Sequence, residues 1–307
     1  SIGSHSQLAS LTLSNPMKST FFALVPLLIT PLTSYAESAP TKPNIIIVMP
    51  DDLAYGDYGC LGNPVLQTPS VDAFMKESLL FTKFHVSPTC APTRAALMSG
   101  RHEFKCGVTH TIIERERMSL DTFTMPQMLK TAGYTTGIFG KWHLGDEEAY
   151  RPESRGFDEV YMHGAGGIGQ TFPGSCGDAP GNSNIDPTLW HNGKFVKTTG
   201  YCTDLFFEQA VKWIDAKRKK DQPFFAYIST NAPHGPLHCP QKYMDLYKDQ
   251  PKNTAAFFGM ITNIDENVGK TRALLKELGI ADNTIFIFTT DNGTAGGAKI
   301  FNAGMRG

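Results

Sequence analysis

The run Asn44-Ile45-Ile46-Ile47-Val48-Met49 leaves few folds open. Four consecutive β-branched residues lose rotamer freedom in a helix and suit a pleated strand. No polar residue alternates among them, so both faces call for cover, the condition of a strand inside a parallel sheet. A second run over 283–290, NTIFIFTT, reads as another fully buried strand. Between the two, the pattern predicts helices over 70–79, 124–132 (closed by Gly133), 204–219 and 255–278, and strands over 81–86, 135–139 and 223–229. Strands alternating with helices at this spacing predict an α/β sandwich whose central, largely parallel sheet is flanked by helices. Residues 151–203, rich in Gly, Pro, Asn and Asp, break the rhythm and read as a long excursion over one face.

A formal net charge of -1 gives no electrostatic case for a nucleic-acid partner. The run Lys217-Arg218-Lys219-Lys220 ends a helical pattern and reads as a solvated helix terminus, where cations suit the dipole. Near the N-terminus, Met17-Lys18 leads into FFALVPLLITPL and then Ser34-Tyr35-Ala36. A basic start, a short apolar core and a small-x-Ala end describe a secretory signal peptide over 17–36, after a leader over 1–16 and before a linker over 37–43. The apolar run is too short for a lasting membrane anchor. The expected location is therefore outside the cytoplasm, periplasmic or secreted.

Export permits disulfides among the six cysteines, and Cys176 and Cys202, flanking the loop-rich region, are placed to bridge. With no CxxC pair, a zinc cage is not expected. Residues 164–169, GAGGIG, match the GxGxxG pattern, but the following QTFPGSCGDAPG cannot open a helix, so no dinucleotide site is expected.

Ligands of parallel sheets gather beyond the C-terminal ends of the strands. The first buried run ends in Pro50-Asp51-Asp52 and the last continues into Asp291-Asn292. Either pair alone is equally at home in a turn or a helix cap. Together they bring four hard oxygen donors to one edge, a set suited to Ca²⁺ or Mg²⁺. The stretch CAPTRAALMSGR sets Cys90 at a helix start, because Pro92 favours the first turn. Free N–H groups there attract anions and lower a thiol's pKa, and Arg94 adds a planar cation.

Cys90-Ala91-Pro92-Thr93-Arg94, continued by AALMSGR, resembles the C-x-P-[S/T]-R signature of the type I sulfatases, in the alkaline phosphatase superfamily. The resemblance runs from Lys42 to the end of the chain. It implies that Cys90 is oxidised to formylglycine by a formylglycine-generating enzyme, and that the aldehyde hydrate is the nucleophile. It further implies Ca²⁺ held by Asp51, Asp52, Asp291, Asn292 and the modified residue 90. In the same way Arg94 would hold the nucleophile, while Lys141 and His143 in GKWHLG would bind sulfate and sit beside the nucleophile. His234 in NAPHGPLH would contact sulfate and assist the leaving group. The implied activity is hydrolysis of aryl or carbohydrate sulfate esters. Two alternatives are a phosphodiester or phosphonate monoester hydrolase of the same superfamily and an inactive secreted binding protein. The family pattern continues through a further sulfate-contacting lysine and a smaller C-terminal domain, so 44–307 reads as a catalytic domain cut short. His85, His102, His110, His163, His191 and His238 are read as hydrogen-bonded structural residues, with His191 or His238 able to line a pocket.

Overall fold

A computed structural model describes residues 42–170, 177–220, 222–294 and 296–305. The expected leader and signal peptide lie outside the described residues. In chain order the main elements are β1 (Asn44–Met49), α1 (Pro69–Lys76), α2 (Cys90–Ser99), α3 (Met125–Thr131), β2 (Thr135–Lys141) and β3 (Glu159–His163). There follow β4 (Thr188–His191), β5 (Lys194–Lys197), α4 (Cys202–Arg218), β6 (Phe224–Ser229), the single turn α5 (Gln241–Met244), α6 (Lys252–Glu277) and β7 (Thr284–Phe288). The strands form one sheet in the order β5-β4-β3-β2-β6-β1-β7. Pairings among β3, β2, β6, β1 and β7 are parallel, and only the β3-β4 and β4-β5 pairings are antiparallel.

The period-2 alternation of each strand feeds two cores. Ile46, Val48, Phe139 and Ile228 pack with residues of α1, α4 and α6 on one face. Ile47, Met49, Ile138 and Tyr227 pack with residues of α2 and α3 on the other. The α3 helix starts with the reciprocal Thr124–Gln127 capping box and Pro126 in its first turn. In α6, Asp265 accepts from the backbone N–H groups of Ser70 and Val71, which start α1. Asn263 and Asn267 each donate to Asp204 at 2.7 Å, so the polar groups between α4 and α6 are paired.

Three expectations change. Residues 81–86 form no strand, and Phe81 and Phe84 are exposed. The first strand has β6 on one edge and β7 on the other, so the neighbour expected from the next segment of chain is supplied by strands far along it. The run 283–290 is not buried on both faces, because β7 ends the sheet and leaves Ile285 and Ile287 47% and 41% exposed. A continuous apolar run carries no signal that separates an edge strand from a central one. The excursion 151–203 is more than a loop, since it supplies β3, β4 and β5 and widens the sheet.

Candidate active site

The parallel strands end at one edge of the sheet, and the residues that follow them meet there. Asp51 and Asp52 follow β1, Lys141 closes β2 and precedes His143, His163 closes β3, Ser229 closes β6, and Asp291 and Asn292 follow β7. Asp52 and His143 have φ of 65° and 60°, left-handed values that cost a non-glycine residue energy. Both turns carry the chain sharply off a strand end. Strain of this kind gathers where a side chain must be aimed.

Asp51 is fully buried, and its Oδ2 accepts from Lys141 Nζ at 2.5 Å. Arg94, also fully buried, donates from Nε and Nη2 to Asp291 Oδ2 at 3.0 and 2.7 Å. Its Nη1 reaches the Lys141 carbonyl at 3.2 Å and the Ser229 hydroxyl. Asp291 Oδ1 accepts from the Asp52 backbone N–H at 3.3 Å, and Asn292 donates to Asp52 Oδ1 at 2.6 Å. Burial pushes the Asp291 carboxyl up, and the neighbouring Asp51 pushes it further. Burial opposes the charges of Arg94 and Lys141 most, but the neighbouring groups, led by Asp291 for the first and Asp51 for the second, together offset it and leave both cations strongly held.

Among the described residues, one trio of acid or thiol side chains has its ligand atoms within 4.8 Å of one another: Asp51, Cys90 and Asp291. Asp51 Oδ1 and Asn292 Oδ1 are buried without a hydrogen-bond partner. Two orphaned oxygens beside a second carboxylate fit a hard divalent cation, whose ligands are oxygens of this kind. Calcium therefore fits the donor set.

Cys90 begins α2, with Thr89 as its N-cap. Its thiol is nonetheless not activated by that position. Burial pushes it up to about 11, and Asp51 and Asp291 oppose a thiolate too, against the pull of Lys141 and Arg94. Desolvation dominates here, so an unmodified Cys90 is a neutral thiol at pH 7.

His143 Nε2 lies 2.7 Å from the Thr111 carbonyl and 3.1 Å from Glu116 Oε2. Both partners accept, so Nε2 carries the proton and the buried, unpartnered Nδ1 presents a lone pair. Burial, then the Lys141 charge, holds this imidazole well below the usual histidine range. Glu116 is itself pushed up to about 7, by burial and then by Asp146. His234 Nδ1 donates to the Gly235 carbonyl at 2.6 Å, and its Nε2 is turned toward Asp52 Oδ2 at 3.9 Å. The glycine-rich turn that resembled a phosphate loop walls this site instead. A Cβ at Gly166 would stand 2.9 Å from the His143 ring, and one at Gly167 would stand 3.1 Å from His234 Nδ1.

Every residue expected from sequence thus lies at one strand-end cluster. Glu116, Ser229 and His163 belong to it too and were missed. His163 could have been found from its place at a strand end, whereas Glu116 carries no signal because it lies far from any strand. His163 does not have the hydrogen bonds expected of a structural histidine, as both ring nitrogens are unpartnered. His102 and His191 do have partners, Phe104 N–H and Glu159. Cys202 is a free, buried thiol, and Cys176, its suggested bridging partner, lies outside the described residues.

A mostly parallel α/β sheet with acids, amide and paired cations massed at its C-terminal edge, where ligands of such sheets bind, is an alkaline phosphatase-like fold. The sulfatase family model matches residues 43–305, and the chain belongs to the sulfatase family. It is 31% identical over 285 residues to N-acetylgalactosamine-6-sulfatase of Rattus norvegicus, covering 85% of this chain and 52% of that protein. Human arylsulfatase A is 32% identical over 276 residues, with 82% and 52% covered. The crystal structure of Ps i-CgsB in complex with k-i-k-neocarrahexaose has a TM-score of 0.73 and 32% identity, covering 82% of this chain and 59% of that one. The chain spans about half the length of the curated relatives it matches.

Proposed function

We propose that this chain carries the catalytic centre of a sulfate monoester hydrolase, exported from the cytoplasm, with Cys90 converted to formylglycine by a formylglycine-generating enzyme. The observation that carries the reading is the convergence of Asp51, Cys90 and Asp291 within 4.8 Å beside buried Arg94 and Lys141. Asp51, Asp52, Asp291 and Asn292 would hold calcium, with residue 90 beside them. Bound there, calcium would withdraw charge from sulfuryl oxygens, and the hydrated aldehyde at position 90 would supply the nucleophilic oxygen.

The chain's own residues do the rest. Arg94 locks Asp291 and fixes the start of α2. Lys141 Nζ is the cation nearest Asp51 and offsets negative charge on the sulfuryl group. His143 presents its bare Nδ1 as a base inside the cluster. His234, at the rim, is the group that delivers a proton to the departing alcohol. Carbohydrate sulfates are the favoured substrate class, since the first relative is named for a sulfated amino sugar and the structural neighbour was crystallised with a neocarrahexaose.

The test is peptide mass spectrometry of residue 90 after export from a host with the modifying enzyme, followed by parallel assays on aryl sulfate, sugar sulfate and aryl phosphonate. Formylglycine together with calcium-dependent sulfate release is expected. A modified, calcium-loaded protein that hydrolyses phosphonate but no sulfate would overturn the assignment.

A further inference from the structure

His163 is 1% exposed, yet neither Nδ1 nor Nε2 has a hydrogen-bond partner. A neutral imidazole carries one donor and one acceptor, and buried groups of that kind are paired in the great majority of cases. Nothing about the ring is loose. It stacks on Phe206 with an interplanar angle of 25°, and the β2-β3 register sets it directly beside Lys141. Burial, then the charges of Lys141, Arg94 and His234, holds it uncharged at neutral pH. Were this position only a packing site against Phe206, an apolar ring would fill it without stranding two polar atoms. An unpaired donor beside the two buried cations instead matches an anionic oxygen that arrives with a ligand.

We propose that His163 is a substrate-binding residue that donates a ring N–H hydrogen bond to a sulfuryl oxygen of the ester held beside Lys141. The proposal rests on the sulfate-ester reading and deepens it. The uncharged ring adds a directional donor without a further formal charge. That limits how tightly the product anion is retained, while a cation at the same place would bind ester and product alike. The second ring nitrogen is left to accept from a hydroxyl or from water that enters with the substrate.

The experiment uses calcium-loaded protein labelled with 15N at histidine and titrated with inorganic sulfate. The His163 ring signals, assigned by their absence from H163Q, are expected to move with sulfate, while those of His102 and His191 hold still. Calorimetric titration of H163F, which keeps the aromatic stack, is expected to show sulfate binding weakened about tenfold. Its melting temperature should equal or exceed that of the parent. If wild type binds sulfate but His163 does not shift, the role of His163 is overturned and the sulfate-ester reading survives. A wild-type protein that binds no sulfate overturns both. Should H163F fail to fold, the histidine signals of the wild type still decide the matter.

Discussion

At the scale of single residues the strand-end cluster behaves as two interlocked ion pairs. Arg94 serves Asp291, Lys141 serves Asp51, and both pairs are almost fully buried. Removing one partner leaves a buried charge uncompensated, a change that costs about 3–5 kcal/mol. Arg94→Ala is therefore expected to lose that much stability in urea unfolding, and Arg94→Lys distinctly less. Cys90→Ala removes only a small buried group, so the melting temperature should hold within a few degrees while sulfate release falls to background. Glu116 has another part. Its carboxylate faces the protonated Nε2 of His143, and such a partner fixes tautomer and ring orientation. Because Glu116 sits near 7, its ionised form is gained as pH rises through neutrality. Glu116→Gln is expected to lower kcat about tenfold and to erase the inflection near pH 7 in the rate profile, with little change in KM. The acids, cations and histidines of the motifs were legible in the sequence because each follows a strand or opens a helix. Glu116 was not, since its link to His143 exists only after two distant segments fold together.

At the scale of elements, the instructive cases are the strand over 44–49 and the one over 284–288. Both read as fully buried, but only the first is flanked on both edges. Ile46→Ala in β1 should cost about 2–5 kcal/mol, as large-to-small changes in a closed core do. Ile287→Ala at the exposed edge should cost under about 1 kcal/mol, and chemical denaturation of the two variants checks the contrast. Loops between elements carry their own titration. Asp57, after β1, accepts from the Ala54 N–H and sits against the Gly297 turn beyond β7, where burial raises it to about 6. A carboxyl raised above its unfolded value of 3.8 gives its full contribution to stability below about pH 4. That contribution fades as pH climbs through 6. Asp57→Asn should therefore be more stable than wild type at pH 8 by up to about 3 kcal/mol and nearly level with it at pH 4. Denaturant midpoints at the two pH values decide it.

For the whole molecule, a cation held by the proposed donor set would link folding to its binding. Asp51, Asp52, Asp291 and Asn292 follow β1 and β7, the first and last strands in chain order, so a cation between them would fasten those two neighbours together. A ligand bound only by the folded state stabilises it by about 2.7 kcal/mol at a hundredfold excess over Kd. Calcium is expected to raise the melting temperature, chelator to lower it, and Asp291→Asn to abolish most of the difference in a calorimetric scan.

The sequence alone determined the α/β class, the run of chemistry-bearing residues at strand ends, and the family, because these depend on local periodicity and on contiguous motifs. Only tertiary structure decided that β7 is an edge, that three strands lie inside the glycine-rich excursion, and that burial keeps the Cys90 thiol protonated. Each of those outcomes depends on what packs against a residue from far along the chain. Desolvation and strand neighbours are properties of the assembled sheet, and no stretch of sequence holds them.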